Sequence, residues 1–212
     1  MSSATRTILV TGFEPFGGES LNASWEAARK LDGWATGGFA AVARRLPCAY
    51  DASVKELIRA IETLRPDAVL MTGQAARRGV VCVERFAHNL DDAAAADNLG
   101  VLRKGLKISE GDPERLEAAA PVSAIAAAVR AAGIPARLSR SAGGFVCNHL
   151  YFGALQYLRY TQQSMPAVFL HLPATPRQAP PAASARRLTA AEAARALKAA
   201  AGAMLDVRAK AA

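Results

Sequence analysis

Short apolar runs that stop at glycine or proline alternate along this chain with segments of helical period, and few folds satisfy that order. Thr7 to Thr11 reads as a buried strand ending at Gly12. Asn22 to Leu31 reads as a helix with Asn22 or Ser24 as its cap. Phe39 to Leu46 is strand-like, and Ala52 to Leu64 places Val54, Leu57, Ile58 and Ile61 at helical spacing. Pro66 stops that helix, and Ala68 to Thr72 is a strand ending at Gly73. Val80 to Asn89 has strand propensity throughout. Helices follow over Pro121 to Ala132, Val146 to Tyr160 and Leu188 to Val207, with strands at Ala136 to Ser141 and Ala167 to Leu172. Pro173 to Arg187, rich in proline and alanine, reads as a loop.

Strands separated by helices pair in parallel and bury both faces of the sheet, which makes this an α/β chain. Such sheets bind ligands at the carboxyl ends of their strands. Three segments fall there: Gly12 onward, Gly73 onward and Leu172-Pro173. A fourth, Ser141 to Cys147, joins a strand to a helix.

The 212 residues fit one domain, taken as residues 1–212. The start, Met1 to Thr5, is polar, and no window reaches the length of a membrane span, so no membrane association and a cytoplasmic location are expected. Cys48, Cys82 and Cys147 are odd in number and widely spaced, which argues against a disulfide framework and against a zinc site. Neither a metal nor a cofactor is expected. The net charge of +8 invites nucleic acid as a partner. The cations are scattered in short groups without interleaved aromatics, so a solvated basic surface is preferred and nucleic acid is not.

The stretch S-A-G-G-F-V-C-N-H, Ser141 to His149, sets a cysteine behind two glycines at the start of a helix. Free cysteine ordinarily behaves as a small buried hydrophobe, and Cys48 and Cys82 are read that way. Cys147 differs, because the helix that follows aims its free amides and positive dipole end at the sulfur. That setting is expected to lower the thiol pKa and produce a nucleophilic thiolate. A histidine base would complete it. His149 stands two positions along the helix, which points it away from the cysteine and marks it as a packing or surface residue. The side that His88 faces is not fixed by its pattern. His171 closes the strand A-V-F-L-H-L-P at the end where parallel sheets place their chemistry; it ranks first, against the alternative of a core histidine. Glu84, inside the apolar run V-C-V-E-R-F, must be paired, either to that imidazole or to a structural arginine. Asp91, Asp92 and Asp97 stay open as alternative orienting acids.

Four motifs together resemble the pyroglutamyl peptidase I family. These are T-G-F-E-P-F-G-G (Thr11 to Gly18) followed by N-A-S (Asn22 to Ser24), and G-Q-A (Gly73 to Ala75) leading to E-R-F-A-H-N (Glu84 to Asn89). The other two are S-R-S-A-G-G-F-V-C-N-H-L-Y (Ser139 to Tyr151) and F-L-H-L-P (Phe169 to Pro173). The resemblance implies a single-domain three-layer α/β/α sandwich with a mostly parallel twisted sheet. It implies a cytosolic homo-oligomer, commonly a tetramer, working without metal or cofactor. Its substrates are peptides with an N-terminal pyroglutamate, which it removes by hydrolysis. Carried over position by position, the family's catalytic residues fall on Cys147, His171 and Glu84. The resemblance also implies substrate binding by Phe13, Phe16 and Phe145 as apolar walls for a flat lactam, with Asn22 and the backbone near Gln74 meeting its polar groups.

The chain departs from the family pattern in places. Where the family reads D-A-R-I-P-D-N, Asp92 to Asn98 reads D-A-A-A-A-D-N, so Ala94 replaces an arginine near the active site. Cys82, Phe86 and Arg177 also differ from the usual residues. Two further readings therefore accompany the peptidase: a cysteine amidohydrolase of the same fold with a shifted substrate, and a non-catalytic binding protein that keeps the pocket.

Overall fold

The computed structural model describes residues 5–178 and 186–209. In chain order the elements are β1 (Arg6–Phe13), α1 (Ala23–Ala28), β2 (Ala35–Thr36), β3 (Phe39–Leu46), α2 (Tyr50–Leu64), β4 (Ala68–Gln74) and β5 (Val81–Glu84). Then come β6 (Phe86–His88), β7 (Arg115–Glu117), α3 (Val122–Ala131), β8 (Ala136–Ser139), α4 (Val146–Tyr160), β9 (Ala167–Leu172) and α5 (Ala190–Ala209). Seven strands form one sheet in the order β2-β3-β1-β4-β9-β5-β8. Helices cover both of its faces, as expected of an α/β sandwich.

Most pairings are parallel: β1 with β3 and β4, β4 with β9, and β5 with β8. Two are not. The edge strand β2 folds back on β3 through Gly37 and Gly38, and β5 runs antiparallel to β9. The second reversal has a simple cause. A parallel crossover needs about a dozen or more residues, and the link Ala75 to Val80 between β4 and β5 is far shorter. The chain must turn back, and it does so on the far side of β9.

Side-chain alternation sorts the core into two layers. Ile8, Val10, Leu70, Val81, Val83, Val168 and Leu170 face α1, α3 and α5. Leu9, Phe13, Val69, Met71 and Phe169 face α2 and α4. Continued along the same strands, the second face receives Gly73, His171, Cys82 and Glu84. The strand ends therefore deliver a histidine and a glutamate to the side of the sheet that α4, the cysteine helix, covers.

Several expected elements keep their bounds, β3, α4 and β9 among them. Others change for reasons that lie far along the chain. Helix α2 starts at Tyr50 rather than Ala52, because Asp97 Oδ2 accepts the Tyr50 amide at 3.0 Å and Ser53 N–H reaches Ala49 O. The expected helix from Asn22 is α1 followed by a tight 3₁₀ turn at Arg29–Leu31. The run from Val80 to Asn89 is two strands and not one. It breaks at Arg85, whose N–H donates to Ser139 O while its carbonyl accepts from Ala118, and β6 leaves the main sheet to pair with β7. The loop expected over Pro173 to Arg187 lies partly outside the described residues.

Candidate active site

Residue type and register build the site together. Gly73 pairs with His171 across β4 and β9, and Cys82 pairs with His171 across β9 and β5. Glu84 stands opposite Phe169, diagonal to His171, a separation that a long side chain can span. It does: His171 Nδ1 lies 2.8 Å from Glu84 Oε1, and the carboxylate is fully buried. Among the described residues, Nε2 of His171 has no protein hydrogen-bond partner.

Helix α4 begins at Val146 with Phe145 as its cap, which puts Cys147 in the first turn, where backbone amides lack intrahelical acceptors. The sulfur lies over Gly73. A methyl built on that glycine would stand 2.7 Å from Cys147 Sγ and 2.7 Å from the Phe169 ring, so no larger residue fits beneath the thiol. Gly73 is the cross-strand neighbour of His171. One bare backbone position thus seats the sulfur beside the histidine strand.

The loop before the helix is fixed by its backbone. Asp92 N–H donates to Gly144 O at 2.9 Å, and a Cβ on Gly144 would meet Asp92 O at 2.5 Å. Gly143 has φ +88, a conformation open to glycine. Asn148 completes the clamp: its Oδ1 accepts from His88 N–H, and its Nδ2 donates to His88 O and Leu90 O.

The electrostatics depart from expectation in one respect. The helix terminus was expected to lower the thiol pKa, yet the Cys147 thiol is pushed well above its ordinary range. Burial of the sulfur is the main cause, and the neighbouring Cys48 and Glu84 add to it. Arg78 and the residue's own amide pull the other way without prevailing. The direction favours the neutral thiol over the thiolate, although Cys147 itself is only partly buried.

The residues expected to bind substrate divide into two groups. Phe16 and Phe145 face each other at the surface of the α2/α4 layer, with ring centroids 6.0 Å apart and planes inclined by 39°. Tyr50 packs edge-on against Phe145 at 5.8 Å. Phe13 is buried in the apolar layer behind them. Asn22 serves as the cap of α1: its Oδ1 accepts from Ser24 N and Oγ, and its Nδ2 donates to Glu14 O. Gln74 Oε1 accepts from Ala23 N–H at 2.7 Å and from Gln178 Nε2 at 3.0 Å. Both amide side chains hold the fold at the end of β1 and β4. Phe86 sits between the guanidinium groups of Arg85 and Arg115 and braces the β6–β7 pair.

Two residues were not legible in advance. Arg78 lies in the β4–β5 link, and its Nη1 donates to Glu84 Oε1 at 2.5 Å, the same oxygen that faces His171. Glu84 is therefore paired with both an imidazole and an arginine. His149 is not a surface residue: it is buried, with Nδ1 2.9 Å from Asp91 Oδ2 and Nε2 3.2 Å from Asp51 Oδ1. Asp91 is thereby committed to His149 and Arg103, and Asp97 to amides of Tyr50, Leu99 and Val101.

The sequence profile of the pyroglutamyl peptidase family (peptidase family C15) matches residues 6–207 of this chain. The chain belongs to the pyroglutamyl peptidase family. Among its relatives, the pyrrolidone-carboxylate peptidase of Chromobacterium violaceum is 45% identical over 174 residues, covering 82% of this chain and 80% of that protein. The enzyme of the same name from Erwinia tasmaniensis is 42% identical, covering 82% and 81%. Among solved structures, pyroglutamyl peptidase I of Bacillus amyloliquefaciens superposes with TM-score 0.91 at 36% identity, over 95% of this chain and 97% of that one. The pyrrolidone carboxyl peptidase of Thermococcus litoralis gives 0.92 at 32% identity, over 98% and 96%. As a member of the pyroglutamyl peptidase family the chain is a cysteine peptidase, and its mostly parallel mixed sheet is that of the family's solved structures.

Proposed function

We propose that this protein removes N-terminal pyroglutamate from peptides by means of Cys147, His171 and Glu84, through a thioester acyl-enzyme. The observation that carries the assignment of roles is the 2.8 Å contact between His171 Nδ1 and Glu84 Oε1, with the other ring nitrogen unengaged and the sulfur seated on the neighbouring Gly73. Glu84 fixes the ring so that Nε2 is the basic nitrogen. His171 takes the thiol proton as Cys147 attacks the pyroglutamyl carbonyl, forming the S–C bond. First-turn amides of α4 hold the oxyanion. The C–N bond then breaks, and His171 returns the proton to the departing amine. Water repeats the attack on the thioester, losing its proton to His171. Pyroglutamate leaves, and the thiol is restored.

Neutral Cys147 suits this order of events. Proton transfer is coupled to attack, so the charge appears only when substrate has filled the site and excluded water. The slot suits the substrate too. A flat ring in contact with two aromatic faces needs about 7 Å between their centroids, two contacts of about 3.5 Å each. Phe16 and Phe145 stand at 6.0 Å and need only a small opening. Recognition of the lactam falls to backbone groups at the ends of β1 and β4, together with the Gln74 amide nitrogen, since Asn22 is engaged through both amide atoms and Gln74 through its oxygen.

The same reading includes the whole chain working as one domain, in the cytoplasm, as a homo-oligomer of two or four copies. The reaction needs a reduced thiol, which that compartment maintains. The segment after β6 carries Leu99, Val101, Leu102 and Leu106, all exposed, which a subunit contact would cover. Among the described residues, no helix is long and apolar enough to cross a membrane. Light scattering on the purified protein checks the assembly; a monodisperse monomer would refute it.

A chromogenic pyroglutamyl amide, assayed beside prolyl, acetyl and glutaminyl amides, tests the function. Turnover of the pyroglutamyl amide well above the others is expected. Faster turnover of another blocked amide would establish the shifted-substrate alternative, and no turnover of any of them the binding protein.

A further inference from the structure

We infer that Arg78 is a positioning residue of the active site, acting on the nucleophile through the acid and the cysteine loop. The inference rests on the reading of Cys147, His171 and Glu84 given above and adds a fourth member to them. Arg78 occupies the short link between β4 and β5, and its side chain is only 26% exposed. One guanidinium nitrogen, Nη1, donates to Glu84 Oε1 at 2.5 Å and stands 3.4 Å from Ser139 Oγ. The other, Nη2, donates to the backbone oxygen of Ser141 at 3.1 Å. Ser141 opens the loop that leads through Gly143 and Gly144 to Cys147. The rigid guanidinium fork thus joins the acid on β5 to the approach of the nucleophile on α4, with β8 in between.

Two physical effects follow from that placement. The first is electrostatic. Glu84 is fully buried and would be costly to keep ionised with a neutral imidazole as its single partner. Arg78 supplies the compensating cation, so Glu84 remains an acceptor throughout the cycle while His171 gains and loses its proton. The same cation acts on the sulfur: it draws the thiol pKa of Cys147 downward, against burial, Cys48 and Glu84. The second effect is geometric. Oε1 accepts from Arg78 and faces His171 at once, so the arginine fixes where the carboxylate oxygen sits and hence which way the ring points.

Other ionisable groups around this centre are accounted for. Cys82, one turn of the strand pleat from Glu84, accepts from Arg137 Nε at 3.4 Å and also interacts with Arg78. Tyr151 donates its hydroxyl to the Glu84 backbone oxygen at 3.1 Å, and burial holds that phenol well above its ordinary range. Neither brings a second cation to Glu84 Oε1.

The test uses the full chain with Arg78→Ala and Arg78→Lys, and reads four things. For Arg78→Ala on a pyroglutamyl amide, kcat is expected to fall about 10²-fold, the scale of a misplaced catalytic group, with KM changed less than about threefold. Arg78→Lys should retain charge but not the fork, and lose less. Added guanidinium ion should recover at least tenfold of the Arg78→Ala loss, and none in Glu84→Gln. Finally, the pH dependence of Cys147 alkylation by iodoacetamide, followed by mass spectrometry, should move to higher pH in Arg78→Ala. Thermal melting separates folding failure from these effects: if Arg78→Ala does not fold, Arg78→Lys carries the kcat and alkylation arms. An unchanged alkylation profile with no guanidinium rescue would overturn the inference, whatever happened to stability. Should the wild-type protein prove inert toward every amide, the alkylation arm still decides the arginine's action on the sulfur, separately from the proposed reaction.

Discussion

Two clusters in this molecule have the same ingredients: a histidine, a buried carboxylate and an arginine. His171, Glu84 and Arg78 form one, and His149, Asp91 and Arg103 the other. In both, the histidine uses Nδ1 against the carboxylate, and in both one carboxylate oxygen (Glu84 Oε2, Asp91 Oδ1) is buried without a partner among the described residues. They differ at the far side of the ring. His149 meets a second carboxylate, Asp51, which also pairs with Arg103, and Tyr50 packs edge-on against the imidazole. Both nitrogens therefore lie against carboxylate oxygens, one hydrogen-bonded and the other within ion-pair distance. His171 keeps Nε2 unengaged among the described residues, beside the strand position on which the Cys147 sulfur rests. Composition alone does not make a catalytic base. On the proposed mechanism, the spare nitrogen near the thiol is what distinguishes His171.

Substitutions in matched positions can break that contrast. The largest effect belongs to Cys147→Ala, which should remove turnover of a pyroglutamyl amide by about 10⁶-fold, the scale of a deleted nucleophile. Residual activity near wild type would end the assignment. Next, His171→Gln and Glu84→Gln should each lower kcat by about 10⁴-fold, as when a triad loses its base or its orienting acid. The matched change Asp91→Asn should leave kcat within about threefold, since the second cluster has no part in proton transfer. Steady-state kinetics on both sets decides it; a large loss from Asp91→Asn would erase the distinction drawn above.

Gly73→Ala sharpens the comparison from the sulfur's side. Its methyl would have to displace Cys147 Sγ or the Phe169 ring, so a kcat loss of about 10²-fold is expected, together with about 1–3 kcal/mol of stability from overpacking. A wild-type rate with normal melting would show that the thiol has slack there. For the second cluster the signal is stability. Breaking a buried pair by Asp91→Asn should cost about 3 kcal/mol in denaturant unfolding, because Arg103 and His149 lose their shared partner. The smallest change is Asp51→Asn: its side chain is 77% exposed, and less than about 1 kcal/mol is expected.

How much of this was legible in the residues depends on how far the deciding contact lies along the chain. The places of Cys147 and His171 in the fold are legible because each stands at a boundary that local pattern marks, a helix start after two glycines and a strand end before proline. Glu84 was readable because a charge in an apolar strand demands a partner. The imidazole is one of the two partners that the sequence offers; which arginine is the other is not legible, since Arg78 looks like one of several arginine pairs until the β4–β5 link folds it inward. For His149 the packing alternative holds and the surface one does not: spacing along α4 points it away from the cysteine but says nothing of Asp91, which arrives from a loop with no periodicity. The reversal of β5 was implicit in the length of its connection, and the break at Arg85 was hidden by continuous strand propensity. The thiol's high pKa was missed because helix-terminus arguments weigh the dipole and not the enclosure around the sulfur.

The clasp between Asp92 and Gly144 joins main chain to main chain. Such a join is blind to what the intervening side chains are. The run Ala93 to Ala96, where relatives are expected to carry an arginine and a proline, could therefore change its letters while the nucleophile's approach kept its shape. Substitution at the exposed Ala94, Ala95 and Ala96 leaves that main-chain join in place, whereas Ala93 is packed into the α2/α4 layer.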